Sequence, residues 1–360
     1  GLQSIGLYND PLKLFSVSND IVSGRAMFMN IMAASFGLRP ANGCNWDPAA
    51  RVFIDNDGIK MYSLTYQFEQ CYDEFIGSCL RQLLGKGNSI QDILATEDGQ
   101  RLLETAFAAV YEGALTDGDI MAWIARHPLI ATAYNNGVSG MDADEFDRFY
   151  AQNGTNRVPE GWLAQIDNAR ISGIPNLNGH INPIDVHGND FVGDGIAVLN
   201  NLKSNATSKL RVAISKNPAD GVYFVSRTLF ERIKVQLGDS CCSDELIKAK
   251  LLGDNANIGW TREHIMYNGL YVVPVDAWDV LNEATATNAV RALLTVKGNL
   301  GAAFDVSKTT GGSPDIAFEA EQRLGPGDGF MGKVYGHANY ELGIGILNRD
   351  YLSYASYVSA

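Results

Sequence analysis

At 360 residues the chain is long enough for one large domain or two of ordinary size. With 46% hydrophobic and 19% charged residues it is globular rather than disordered. A net charge of −13 argues against a protein whose main surface grips phosphates, and no run approaches the ~20 apolar residues that cross a bilayer. The five cysteines (Cys44, Cys71, Cys79, Cys241, Cys242) contain no CxxC pair, which reads as structural thiols in a reducing compartment.

Residues 1–38 open with LYNDPLKLFSV and continue in a mostly apolar stretch, Ile21 to Phe36, which on its own reads as an N-terminal helix. From Arg51 to Phe68 a hairpin is signalled. The residues Asp55, Asn56, Asp57 and Gly58 tolerate the positive φ that a tight turn requires, and Lys60 sits beside this expected tip. The return strand alternates, with Tyr62, Leu64, Tyr66 and Phe68 on one face and Met61, Ser63, Thr65 and Gln67 on the other. Thr96, Glu97 and Asp98 then cap the longest helical pattern, in which Leu102, Leu103, Ala106, Phe107, Val110, Tyr111 and Ala114 form one apolar face. That helix either runs on through Gly118 to Trp123 and Ile124 or breaks at Asp117-Gly118.

Residues 136–190 are loop-rich and read as insertion material leading into a second domain. A helix through Ile196, Val198, Leu199 and Leu202 comes next, then an expected strand from Leu210 to Ile214. Beyond it lies the clearest pattern in the chain. The run Val222-Tyr223-Phe224-Val225, bounded by Gly221 and Ser226, is a buried strand, and the helix after it places Leu229, Ile233 and Leu237 on one face. Leu270 to Val273 is a second buried strand, stopped at Pro274, and the helix from Asp276 to Asn282 carries Trp278 and Leu281 to the core. A strand from Val290, the turn at Gly298, and two paired strands (330–335 and 338–346) lead to a Tyr-rich end.

Motifs for chemistry are weak. Gly327 to Val334 fits G-x-x-x-x-G-K, but Val334 stands where a phosphate loop has a hydroxyl, and the residues after it alternate like a strand rather than starting a helix. His180, Asp185 and His187 fall within eight residues without a partner cluster and read as a solvated loop. Asp142, Asp144, Glu145 and Asp147 lack the pattern of a calcium loop and read as a helix start. No catalytic constellation is visible, and no cofactor or metal is expected.

The segments VYFVSRTLFERI and, some forty residues on, YNGLYVVPVDAW resemble the axial domain of tailed-bacteriophage major capsid proteins with the HK97 fold. Asn299, Leu300 and Asp305 are similar to the segment closing that domain, and the G-x-G-I-x-N run ending at Asn348 resembles its return. The likeness covers residues 50–355 in order of elements and is specific over 220–350. It implies an α+β HK97-like fold divided into an N-terminal arm (1–38), an E-loop region (39–85), a peripheral domain with a long spine helix (86–190, resumed at 326–360) and an axial domain (191–325).

The implied function is that of a non-enzymatic shell protein of the virion, assembled in the host bacterial cytoplasm. Its partners would be itself, as pentamers and hexamers of an icosahedral head, together with portal and scaffold or decoration proteins, and it would enclose double-stranded DNA without sequence-specific binding. Asp55, Asn56, Asp57, Gly58 and Lys60 would then touch a neighbouring subunit. Some shells of this fold join an E-loop Lys to an Asn of a neighbour, roles that would fall to Lys60 and Asn348. A start at Gly1 is compatible with removal of an N-terminal scaffolding segment, as the resemblance implies for many relatives. Two other readings are an encapsulin-type nanocompartment shell and a soluble hydrolase with its site in the 136–190 loops.

Overall fold

The structure, a computed structural model, describes residues 13–18, 21–22, 25–33, 52–71, 113, 116–150, 158–171, 195–239, 264–304, 309–310, 313–324 and 330–358. Strands β1 (Phe15–Ser18), β2 (Ile21–Val22), β3 (Arg25–Ala33), β4 (Val52–Lys60) and β5 (Tyr62–Cys71) come first. After a helical segment at 116–124 come helices α1 (Pro128–Asn135), α2 (Ala143–Tyr150), α3 (Trp162–Ile171), α4 (Gly195–Asn205) and α5 (Ser208–Lys216). The chain continues with β6 (Gly221–Val225), α6 (Arg227–Asp239), β7 (Ile265–Tyr267), β8 (Leu270–Pro274) and α7 (Ala277–Thr285). Strands β9 (Ala289–Val296), β10 (Leu300–Phe304), β11 (Thr309–Thr310), β12 (Ser313–Leu324), β13 (Phe330–Ile346) and β14 (Leu352–Val358) complete it. No described helix is long and apolar enough to cross a membrane.

The expected core strands form one five-stranded sheet in the order β14-β9-β6-β8-β7, with β6 and β8 parallel. Every residue of β6 is buried because both faces of this sheet are covered. Tyr223, Val225, Val272 and Leu294 pack with α4, α5 and α6 on one side. Val222, Phe224, Val273 and Leu293 join a larger core on the other, where Phe224, Trp123, Trp162, Trp278 and Phe15 meet at ring separations of 4.9–6.2 Å. The second sheet has the order β1-β10-β13-β12-β11, with β5 also paired to β13. Residues 333–339 of β13 have partners in both β12 and β5, so those two strands flank it. The C-terminal β14 sits in the sheet built largely by 221–296, while β10 crosses into the other.

Several expectations are corrected. Within the apolar stretch expected as a helix, residues 25–33 are strand, since β3 pairs antiparallel with β4 over nine residues, from Arg25↔Lys60 to Ala33↔Val52. The expected turn at 55–58 is therefore mid-strand, and β4 and β5 do not form a hairpin with each other. Residues 210–214 are helical because Thr207 Oγ1 accepts the Leu210 N–H at 2.9 Å, and Leu210 and Ile214, one helical turn apart, are both buried. Within 136–190, α2 and α3 replace part of the expected loop. Asp142 and Glu145 cap α2 reciprocally, each side chain accepting the other's backbone N–H, at 2.8 and 3.2 Å. The expected pair of strands at 330–346 is one strand of 17 residues.

Gly118 is buried inside the 116–124 helix, so no break occurs there, while residues 101–112 lie outside the described residues. Residues 330–334 of the phosphate-loop-like stretch are strand. His180, Asp185, His187 and Asp305 fall outside the described residues.

Ala286 closes α7 with φ 49°, the Thr287 N–H donating to Asn282 O at 2.9 Å and the Ala286 N–H to Glu283 O at 3.3 Å. This is a left-handed cap that normally takes glycine, because a Cβ there crowds the backbone by about 1 kcal/mol. Ala286→Gly is expected to raise unfolding free energy by about 0.5–1 kcal/mol, read as a higher urea midpoint; an unchanged or lower midpoint would contradict the cap.

Candidate functional site

With no catalytic constellation in the sequence, the candidate site is a surface: the β3–β4 ribbon and the way it joins the body. Nine paired residues at ~3.3 Å each make it about 30 Å long, and β2 pairs with the first two residues of β3. The ribbon's tip, between residues 33 and 52, lies outside the described residues.

The root is built from opposed glycines. Ile59 and Met61 are buried on either side of exposed Lys60, and they pack with Ala303 and Leu347. Ile59 fits there because the strands beneath it lack side chains. A Cβ on Gly345 would lie 2.6 Å from Ile59 Cδ1, and one on Gly343 would lie 2.7 Å from Met61 Sδ and 3.1 Å from the Lys60 carbonyl oxygen. A Cβ on Gly301 would come within 3.3 Å of the same Ile59 Cδ1. Gly301 and Gly345 are opposite each other in the β10–β13 ladder, and the Trp162 indole N–H donates to both their carbonyls, at 3.2 and 3.0 Å. The ribbon's seat is thereby tied directly to the aromatic core.

Lys60 is at this root and not at a tip; its Nζ lies 4.8 Å from the centre of the Tyr62 ring. Asp55, Asn56, Asp57 and Gly58 stand opposite Asn30, Met29, Phe28 and Met27 along the ribbon. Asn348 Oδ1 accepts the Asp350 N–H at 2.9 Å and so caps the short turn at 349–351. Residues 343 and 345 were detectable as candidates, because glycines spaced by two in a strand mark a close approach on one face; Gly301 carried no such pattern. Trp162 carried no such signal.

Asn299 is 3% exposed and joins three segments. Its Oδ1 accepts the Asn348 N–H at 2.8 Å, and its Nδ2 donates to Thr295 Oγ1 at 3.0 Å and to Tyr351 O at 3.4 Å. Asn299→Ala leaves these buried groups unmatched and is expected to cost about 2 kcal/mol, measured by chemical denaturation; a loss under about 0.5 kcal/mol would show the network to be dispensable.

A further polar centre in the core is His127, fully buried. Its Nδ1 accepts the Leu129 N–H at 3.3 Å, capping α1, and its Nε2 lies 2.9 Å from Asp167 Oδ2. A backbone N–H can only donate, so the neutral ring carries its proton on Nε2 and donates it to Asp167. The pair fastens α1 to α3. Among the described residues no group of His, Cys, Asp and Glu is placed to hold a metal.

No family model and no curated relative matches the sequence. Among solved structures the chain is similar to one in the satellite phage P4 procapsid including size determination (Sid) protein. That match has a TM-score of 0.50 at 13% identity, over 97% of this chain and 86% of the other. It is also similar to a chain of Mycobacterium phage Ogopogo (0.49, 11% identity, 99% and 94% covered) and to the capsid of Ralstonia phage GP4 (0.48, 10% identity, 100% and 94% covered). The fold assignment rests on the first: the chain has the α+β, HK97-like fold of a phage capsid subunit.

Proposed function

We propose that the chain is the major capsid protein of a tailed bacteriophage, assembling into pentamers and hexamers that close an icosahedral shell around double-stranded DNA. The observation that carries this is the capsid-type fold extending over 97% of the chain. The glycine-seated ribbon supports it. An arm about 30 Å long, held firmly at one end, suits contact with an adjacent copy, and a closed symmetric assembly multiplies modest lateral contacts.

In this reading the work is mechanical and not catalytic. The E-loop is the hairpin with arms at 25–33 and 52–60, so Asp55, Asn56, Asp57 and Gly58 meet a neighbouring subunit along a strand, while Lys60 lies exposed at its base. The axial domain is built on the five-stranded sheet of 221–296, which β14 (Leu352–Val358) completes, and the peripheral domain takes 86–190 with the sheet of β10, β12 and β13. Portal and scaffold or decoration proteins complete the particle, which is assembled in the host bacterial cytoplasm.

Light scattering on the purified chain tests this reading. It predicts a species of many copies, well above the 39.1 kDa of one chain. A species of one or two copies under every assembly condition would overturn it.

A further inference from the structure

The surface made by α4 and α5 is basic in an acidic chain. Residues 195–216 contain Lys203, Lys209, Arg211 and Lys216 and no acidic residue, in a chain with 28 basic and 41 acidic residues overall. Burial divides the two helices cleanly. Val198, Leu199, Leu202, Leu210 and Ile214 are buried against the five-stranded sheet. The opposite face exposes Asn201, Ser204, Ser208, Arg211, Ser215 and Lys216. Two acidic groups stand at its margin: Asp350 pairs with Lys209, and Asp220 accepts a hydrogen bond from Asn217 at 2.7 Å.

Lys, Arg, Ser and Asn without acids are the side chains that contact phosphodiester oxygens. A protein partner would call for an apolar centre with aromatic anchors, and the one large apolar side chain exposed on these helices is Val212. We propose that this α4–α5 face lies against the phosphate backbone of the DNA that the shell encloses, touching it without reading sequence. The inference rests on the capsid reading above. Each Lys or Arg that neutralises a phosphate adds about 0.9 to the salt dependence. In one acidic subunit these few contacts are weak, and the many copies of a closed shell make them effective together.

Formaldehyde cross-linking of DNA-filled particles, followed by nuclease digestion and peptide mass spectrometry, tests the proposal on the unaltered chain. Nucleotide adducts are expected on Lys203, Lys209 and Lys216, at least several-fold above those on the exposed Lys234 of α6. The double variant Arg211→Glu/Lys216→Glu should lower the adduct yield at Lys203 and Lys209 several-fold in particles that still form.

Adducts confined to peptides outside 195–217 would overturn the proposal. So would cross-links from these lysines to a second copy of the chain, which would make the face an inter-subunit contact. If the unaltered chain forms no particles, the capsid reading itself fails and takes the inference with it.

Discussion

Gly343→Val is expected to abolish shell formation while leaving a folded subunit. A Cβ at this position would meet Met61 Sδ at 2.7 Å, Ile59 Cγ2 at 3.0 Å and the Lys60 carbonyl oxygen at 3.1 Å. Met61 could rotate away, but the Lys60 carbonyl is backbone, so the chain at the ribbon's root has to move. A shift of about 1 Å across the ~4.8 Å between strands tilts the ribbon by roughly 10°, which displaces its far end by about 5 Å. A contact between copies does not survive such a displacement, whereas the aromatic core on the other side of the sheet keeps its packing. Light scattering reports the assembly and a thermal melt reports the fold. Shells of normal yield from Gly343→Val would contradict the seat.

Gly345→Ala gives a finer test, because its nearest contacts are Ile59 side-chain atoms, at 2.6 and 2.8 Å. Adding Ile59→Ala removes those atoms and should restore assembly, a coupling between two residues that only a direct contact produces.

Trp162→Ala is expected to destabilise the subunit by about 3–5 kcal/mol, the range for deleting a buried aromatic side chain. Trp162 is fully buried, stacks on Phe15 at 5.0 Å, meets Trp123 edge-on at 4.9 Å, and donates its N–H to the carbonyls of Gly301 and Gly345. Trp162→Phe keeps most of the apolar volume and loses the donor, leaving two carbonyls short of a partner, so its expected cost is about 1–3 kcal/mol. Urea unfolding separates the two. Losses within about 1 kcal/mol of each other would mean that the hydrogen bonds carry most of the effect, while a loss near zero for Trp162→Phe would mean that Trp162 acts through volume alone.

What could be read from the sequence was local and strongly patterned. The strand at 221–225, the helix after it and the helix carrying Trp278 were legible because their apolar spacing admits one period only. Residues 210–214 misled because Val212 and Ile214 favour strands on their own; the cap at Thr207 and the burial of Leu210 and Ile214 on one helical face outweigh that preference. The Asp55–Gly58 run has turn chemistry, yet it is held in a strand by pairing with residues 27–30, a non-local contact that no short-range pattern reports.

The turn chemistry that does operate is at Asn268-Gly269, with φ of 49° and 79°, where two residues join β7 to β8. At the candidate site the alternate glycines 343 and 345 were readable as a close approach. What approaches them was not, because Ile59 is 284 residues away from Gly343 in sequence (343 − 59). The order of elements carried the capsid resemblance, while the way the ribbon is rooted emerged only with the sheet register.

Electron microscopy of the purified, assembled chain tests the central claim most directly. The account predicts closed shells with five- and six-fold clusters, in which density for residues 25–60 extends from each subunit onto an adjacent one. Uniform single subunits, or small oligomers that never close, with the 25–60 hairpin folded back on its own chain, would contradict it.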